Sequence, residues 1–233
     1  MNMRALRLQA IRLWKEWIRP LLPVAAIIIP LRTSIADYSP VPTGSMKPTI
    51  LEGDLVFVNK VAYDLKIPMT TKRIAAWADP ERGDIVVCLS PGDGTRLVKR
   101  VIGLPGDVVA MQDNRLWING NPVKYSAARE EWYQDMPDLQ KRTALFAAEN
   151  LDGRLHAVMS MPQIRMVRSF GPVRIPEGQY FMMGDNRDNS HDSRYFGMVD
   201  RRVIIGRVQG IIGSLNIRDQ FQPRWRRFFT ALD

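Results

Sequence analysis

Cysteine occurs once in these 233 residues, at Cys88, and histidine only twice, at His156 and His191. A lone thiol excludes an internal disulfide and a thiolate metal cage. Two histidines leave little material for a zinc centre. An uncharged run of bilayer length is also missing: residues 20–31 supply twelve uncharged positions, and an unaided crossing takes about 20. No internal repeat and no low-complexity segment is present. The polar stretch 184–197 fails as an EF-hand loop, because Arg187 falls at the third position counted from Asp185, and Val199 at the twelfth counted from Asp188. No metal and no cofactor is expected.

Acidic residues are the scarcer charge, and the resulting net charge of +9 is unevenly spread. Residues 1–36 hold Arg4, Arg7, Arg12, Lys15, Arg19 and Arg32 against Glu16, and the tail holds Arg224, Arg226 and Arg227 against Asp233. The body between them is close to neutral. Bases concentrated at the two ends suit anionic lipid better than a nucleic-acid groove, so no nucleic-acid partner is expected.

Residues 4–19 interleave bases with Leu6, Leu8, Ile11, Leu13, Trp14, Trp17 and Ile18, the pattern of a membrane-surface helix. If Arg32 snorkels, a span over 17–38 has 22 residues with aromatic ends. The excess of bases before it puts the N-terminus in the cytosol and the body outside. A cleavable signal peptide ending at Ala36 fits the same residues, and both readings export the rest of the chain. From Ile50 the apolar residues fall into short runs with period two: 54–59, 84–89, 96–102, 108–111, 115–118, 155–159, 172–175, 179–183 and 203–212. Gly-Asp turns such as Gly53-Asp54, Gly83-Asp84 and Gly106-Asp107 bound several of them. The expectation is a mainly β, antiparallel, barrel-like domain over 39–121 and 172–215. A small β-rich subdomain is inserted at 122–171, one transmembrane helix lies within 1–38, and a basic aromatic tail fills 216–233.

Between the apolar segment and the first strand lies Pro42-Thr43-Gly44-Ser45-Met46-Lys47-Pro48-Thr49. Prolines fix φ and Gly44 relaxes it, so Ser45 can stand on a stiff turn. A hydrolytic serine needs a base. His191, in the polar stretch 184–197, allows a Ser45-His191-Asp triad, whereas His156 reads as a packed or surface residue. Lys99 is the other candidate: it shares a strand face with Leu97 and Val101, and an ammonium among apolar groups is driven towards neutrality. Alternation does not choose between the two cations, since Arg100 equally shares a face with Val98 and Ile102.

In this order, the Ser45 octapeptide, the strand Gly83-Asp84-Ile85-Val86-Val87, Lys99-Arg100-Val101-Ile102-Gly103-Leu104-Pro105-Gly106-Asp107 and the stretch 184–197 resemble the motif boxes of type I signal peptidases. The resemblance covers roughly 39–212. It implies a serine/lysine protease on a bacterial inner-membrane anchor, with its catalytic domain on the outer side. Such an enzyme cuts signal peptides from exported preproteins after small residues, of Ala-X-Ala type. By motif position Ser45 is then the nucleophile and Lys99 the general base. Thr43, where serine is commoner, joins the Ser45 N–H in the oxyanion hole. Ser190 orients the lysine amine, and Asp192 pairs with Arg194 to hold the loop. His191 falls at an open position of the motif, and Phe196 stands where tryptophan is frequent. A pilus or conjugation peptidase shares the Ser45 and Lys99 motifs but need not carry the long loop. A self-cleaving DNA-binding repressor shares the Ser/Lys fold, but residues 1–36 lack a helix-turn-helix pair.

Overall fold

The computed structural model describes residues 12–67, 70 and 72–232. The surface helix expected over 4–19 lies partly outside them. Where the chain is described, helical turns run continuously to Ile35: π-type over Trp14–Ile18, α1 over Arg19–Pro30, and π-type again over Leu31–Ile35. Pro23 and Pro30 each withhold an amide from the helical ladder, which favours short and irregular helical pieces here. Among the described residues no helix is long and apolar enough to cross a membrane. The expected span over 17–38 is corrected further at its end, because Ala36–Pro40 forms strand β1 and Tyr38 pairs with Phe57 in a ladder.

The strands that build the body are β2 (Asp54–Asn59), β3 (Ile85–Leu89), β4 (Arg96–Gly103), β5 (Val108–Gln112), β6 (Arg115–Ile118), β7 (Leu145–Leu151), β8 (Arg154–Ser160), β9 (Gln179–Met183) and β10 (Ile204–Asn216). The principal sheet is antiparallel, in the order β1-β2-β10-β3-β4-β9. It curls because the 13-residue β10 shifts register against both neighbours, between Val208 and Gly210 and between Ile204 and Gly206 among others. Gly206 lies so close to the neighbouring strand that a Cβ would stand 2.5 Å from the Asn59 carbonyl oxygen. The mainly β, antiparallel expectation holds.

A core cluster of Val56, Val58, Ile85, Val87, Val208 and Ile211 fills one side of the curl, and Val41, Met46 and Ile50 join it. Those last three belong to the segment around Ser45, so the nucleophile candidate rides on a turn bolted into the core. β5 and β6 form a hairpin in a second sheet. Lys124–Ala127, β7 and β8 form a third, three-stranded one. Asp152 and Gly153 sit at φ 52° and 92° in the tight turn between β7 and β8, as Leu151-Asp152-Gly153-Arg154 predicts. The stretch 125–145 holds two short helices, Glu130–Trp132 and α2 over Asp138–Thr143. Phe170–Arg174 pairs with β5. The tail turns back on the body, and Gln222–Pro223 and Thr230–Ala231 both pair with β10.

Candidate active site

The Ser45 turn is set by its flanks. The Val41 amide donates to the Asp54 carbonyl and the Gly53 amide to the Val41 carbonyl, while buried Met46 and Ile50 close a helical turn through an Ile50 N–H to Met46 carbonyl bond of 3.0 Å. Buried Val41 before the serine and Met46 and Ile50 after it therefore bracket it, leaving its hydroxyl at the edge of the core.

β3 and β4 pair so that Lys99 faces Val86 across the ladder. The Lys99 Nζ lies 2.8 Å from Ser45 Oγ. Lys99 is only 3% exposed, and among the described residues it makes no ion pair. Burial is the largest influence on it and pushes the ammonium below its ordinary value. Asp192, Cys88 and Asp185 pull the other way, and Arg194 adds to the depression. The Cys88 pull needs a thiolate, yet burial pushes that thiol up to about 12, so it is absent at neutral pH.

Arg100, the neighbouring cation that alternation leaves equivalent, is just as buried but has a carboxylate. Its Nε and Nη2 each donate to Asp185 at 2.8 Å, and its Nη1 donates to the Gly83 carbonyl. The two cations thus separate by partner and not by burial. Arg100 is locked as an ion-pair member, whereas Lys99 has a hydroxyl and little else.

The stretch 184–197 wraps behind this pair. Gly184 is needed for close approach: a Cβ there would stand 2.3 Å from the Ser45 carbonyl oxygen and 2.4 Å from Ser190 Oγ. Asn186 clamps the serine turn twice, its backbone N–H donating to the Ser45 carbonyl at 3.1 Å and its Nδ2 to the Gly44 carbonyl at 3.0 Å. Asp192 caps the helix α3 (Ser193–Phe196) and accepts from the Gly184 amide. The expected Asp192–Arg194 pair is present and bidentate, with Nε and Nη2 both at 2.8 Å. Burial works to raise the Asp192 carboxyl, but Arg194 and the Gly184 amide outweigh it and hold the group below the usual range. The Ser190 hydroxyl is buried and has no full hydrogen bond within the described residues. Thr43 is exposed, and its hydroxyl is likewise uncommitted among them.

The histidines go elsewhere. His191 is exposed, with its ring stacked on Tyr195 at 5.3 Å and edge-on to Phe196 at 5.6 Å. His156 is buried, 3.3 Å from Glu149, which also takes Arg187 at 2.6 Å. Sequence reading missed Asn186 and the Arg100–Asp185 pair. Asn and Asp are unremarkable in a polar loop, whose density was the only available signal for them, and strand alternation does not set Arg100 apart from Lys99.

A family profile described as signal peptidase, peptidase S26, matches residues 14–212. Signal peptidase I of Pseudomonas fluorescens is 37% identical over 205 residues, covering 83% of this chain and 70% of that protein. Signal peptidase I of Pseudomonas aeruginosa is 37% identical over 208 residues with the same coverage. That of Rickettsia typhi is 36% identical over 207 residues, covering 83% of this chain and 78% of its own. Matches of that identity, running through the serine turn, the lysine strand and the polar loop alike, show that this chain belongs to the signal peptidase family, peptidase S26.

Proposed function

We propose that the chain is a serine/lysine endopeptidase that removes signal peptides from exported preproteins. Ser45 Oγ attacks the scissile carbonyl while Lys99 Nζ, neutral, takes its proton. The resulting ammonium then protonates the leaving amine, and the lysine, neutral again, activates the water that frees the acyl group. The Ser45 N–H and the Thr43 hydroxyl hold the oxyanion. Ser190 orients the amine, and Asp192 with Arg194 fixes the loop that carries it. The observation that carries this reading is the 2.8 Å contact between Nζ and Oγ at a lysine with no carboxylate of its own.

The substrate binds extended beside the serine turn, so alternate side chains meet the surface and small ones are selected at the first and third positions before the cut. Helical turns up to Ile35 tether the enzyme to the inner membrane, with the basic N-terminus in the cytosol and the body outside. Trp225 and Phe229, 73% and 83% exposed beside docked arginines, support a lipid-facing tail.

The pH profile of kcat/KM on a preprotein with an Ala-X-Ala site tests the assignment of the base. Activity is expected to rise with pH through a limb set by Lys99, below the ordinary lysine value and not moved by His191→Ala. Lys99→Arg holds its charge at every accessible pH and is expected to be as inactive as Ser45→Ala. His191→Ala is expected to keep most activity. An active Lys99→Arg beside an inactive His191→Ala overturns the dyad.

A further inference from the structure

Both peptide units beside Ser45 are held by one residue of the polar loop. The Gly44 carbonyl accepts from Asn186 Nδ2 at 3.0 Å and from the Lys47 N–H at 3.2 Å, and the Ser45 carbonyl accepts from the Asn186 N–H at 3.1 Å. The Gly44–Ser45 peptide is trans, so its N–H points away from its carbonyl. Buried donors that fix the Gly44 oxygen therefore turn the Ser45 N–H outward, and that N–H makes no hydrogen bond with the described residues. Two bonds to the carbonyl also polarise the amide and strengthen it as a donor. The Asn186 amide fits one way round, because turning it over sets Oδ1, which has no partner among the described residues, against the Gly44 oxygen. Gly44 itself is hemmed in: a Cβ there would stand 2.9 Å from Glu52 Oε1 and 3.0 Å from Lys47 Cε.

Asn186 is held in turn from the inserted hairpin. Its neighbours Asp185 and Arg187 are buried, Asp185 paired with Arg100 and Arg187 with Glu149 of β7, where Nη2 donates to Oε1 at 2.6 Å. Met159 of β8 bridges the two, its N–H donating to the Asp185 carbonyl at 2.9 Å and its carbonyl accepting from the Arg187 N–H at 2.8 Å. The mechanism proposed above gives β7 and β8 no part. We infer that Asn186 is the positioning residue that aims the Ser45 N–H at the oxyanion, and that β7 and β8 serve the reaction by holding Asn186 through the Glu149–Arg187 pair. The inference rests on the serine/lysine reading, in which that N–H is one of two oxyanion donors. Buried behind the serine turn, Asn186 acts through Gly44. It makes no hydrogen bond to Lys99, so the base is expected to titrate as in wild type when the Asn186 amide is lost.

The test compares a preprotein substrate with a peptide aldehyde ending in Ala-X-Ala. Ser45 Oγ adds to the aldehyde carbon to give a hemiacetal whose oxygen takes the oxyanion position, so aldehyde affinity reads the hole while KM reads the ground state. Asn186→Ala is expected to lower kcat and to weaken the aldehyde by the same factor, about five-fold, with KM and the pH limb of wild type unchanged. Glu149→Gln, which keeps an acceptor for Arg187 and removes the charge, is expected to give the same split at about two-fold. A fall in kcat with aldehyde affinity intact overturns the inference. So does a shifted pH limb, which means that Asn186 acts through Lys99, or a matching rise in KM, which means a turn that is merely loosened. If circular dichroism shows Asn186→Ala unfolded, the split in Glu149→Gln decides. An aldehyde held equally by wild type and Ser45→Ala removes the serine reading itself, whereas binding lost in Ser45→Ala but intact in Asn186→Ala removes this inference alone.

Discussion

In the proposed mechanism two hydroxyls and one amine carry most of the chemistry, and each makes a separate demand. Thr43 stands two residues before Ser45 with its side chain exposed and uncommitted. One oxyanion donor is worth about 10² to 10³ in kcat. Thr43→Val is therefore expected to lower kcat by that order with KM little changed, and Thr43→Ser to stay close to wild type; steady-state kinetics on a preprotein decides. Lys99 makes the opposite demand, because its burial without a carboxylate harms the fold. A lysine whose folded value is depressed binds fewer protons folded than unfolded, so stability rises with pH between the folded value and about 10.4 and is lowest beneath both. At neutral pH that penalty is in force. Lys99→Met is then expected to be inactive yet more stable, by about 1 to 3 kcal/mol, with a Tm higher by roughly 2 to 4 °C per kcal/mol. Calorimetry showing a lower Tm for Lys99→Met means the amine is better solvated than its burial implies.

At the scale of elements, the serine turn, β4 and the polar loop must be held in mutual register, and Asn186 does much of this through its two bonds to Gly44 and Ser45. Asn186→Asp keeps the shape but turns a donor towards a carbonyl into an acceptor. It is expected to lower kcat at least about ten-fold, a loss of one hydrogen bond's order, while Asn186→Ala falls between it and wild type. A kcat that ignores both changes removes the side-chain bond to Gly44 from the mechanism. Most strands were legible, because period two and Gly-Asp turns are local: β2, β6 and β9 fall on the expected residues. β1 was not, since Ala36–Pro40 follows an apolar helix, contains a proline, and becomes a strand only through its pairing with β2. The choice between Lys99 and Arg100 was illegible from the residues for a similar reason. Asp185, which settles it, lies 85 residues away. The motif order supplied what periodicity withheld.

For the molecule as a whole, the tail is a brace. Arg227 donates to buried Asp54 at 2.6 Å and to the Thr49 carbonyl at 2.9 Å, so the last residues grip the segment that carries Ser45. Removing one partner of such a pair leaves a buried charge. Arg227→Ala is expected to cost about 3 kcal/mol, even with Arg224 nearby, and to lower Tm by roughly 6 to 12 °C. Thermal unfolding unchanged by the substitution makes the tail a passenger. The other end of the molecule has a different consequence. Helix passes into β1 with no linker, since Ile35 ends one and Ala36 begins the other. The Lys60 amide pins the junction by donating to the Ile35 carbonyl at 2.9 Å. On the proposed membrane tether, the body therefore has no flexible linker on which to swing. Ser45 lies ten positions after Ile35, no more than about 33 Å of extended chain. With the helix in the bilayer, the nucleophile works at one altitude above the lipid, and a scissile bond is cut only if its own apolar segment delivers it to that height.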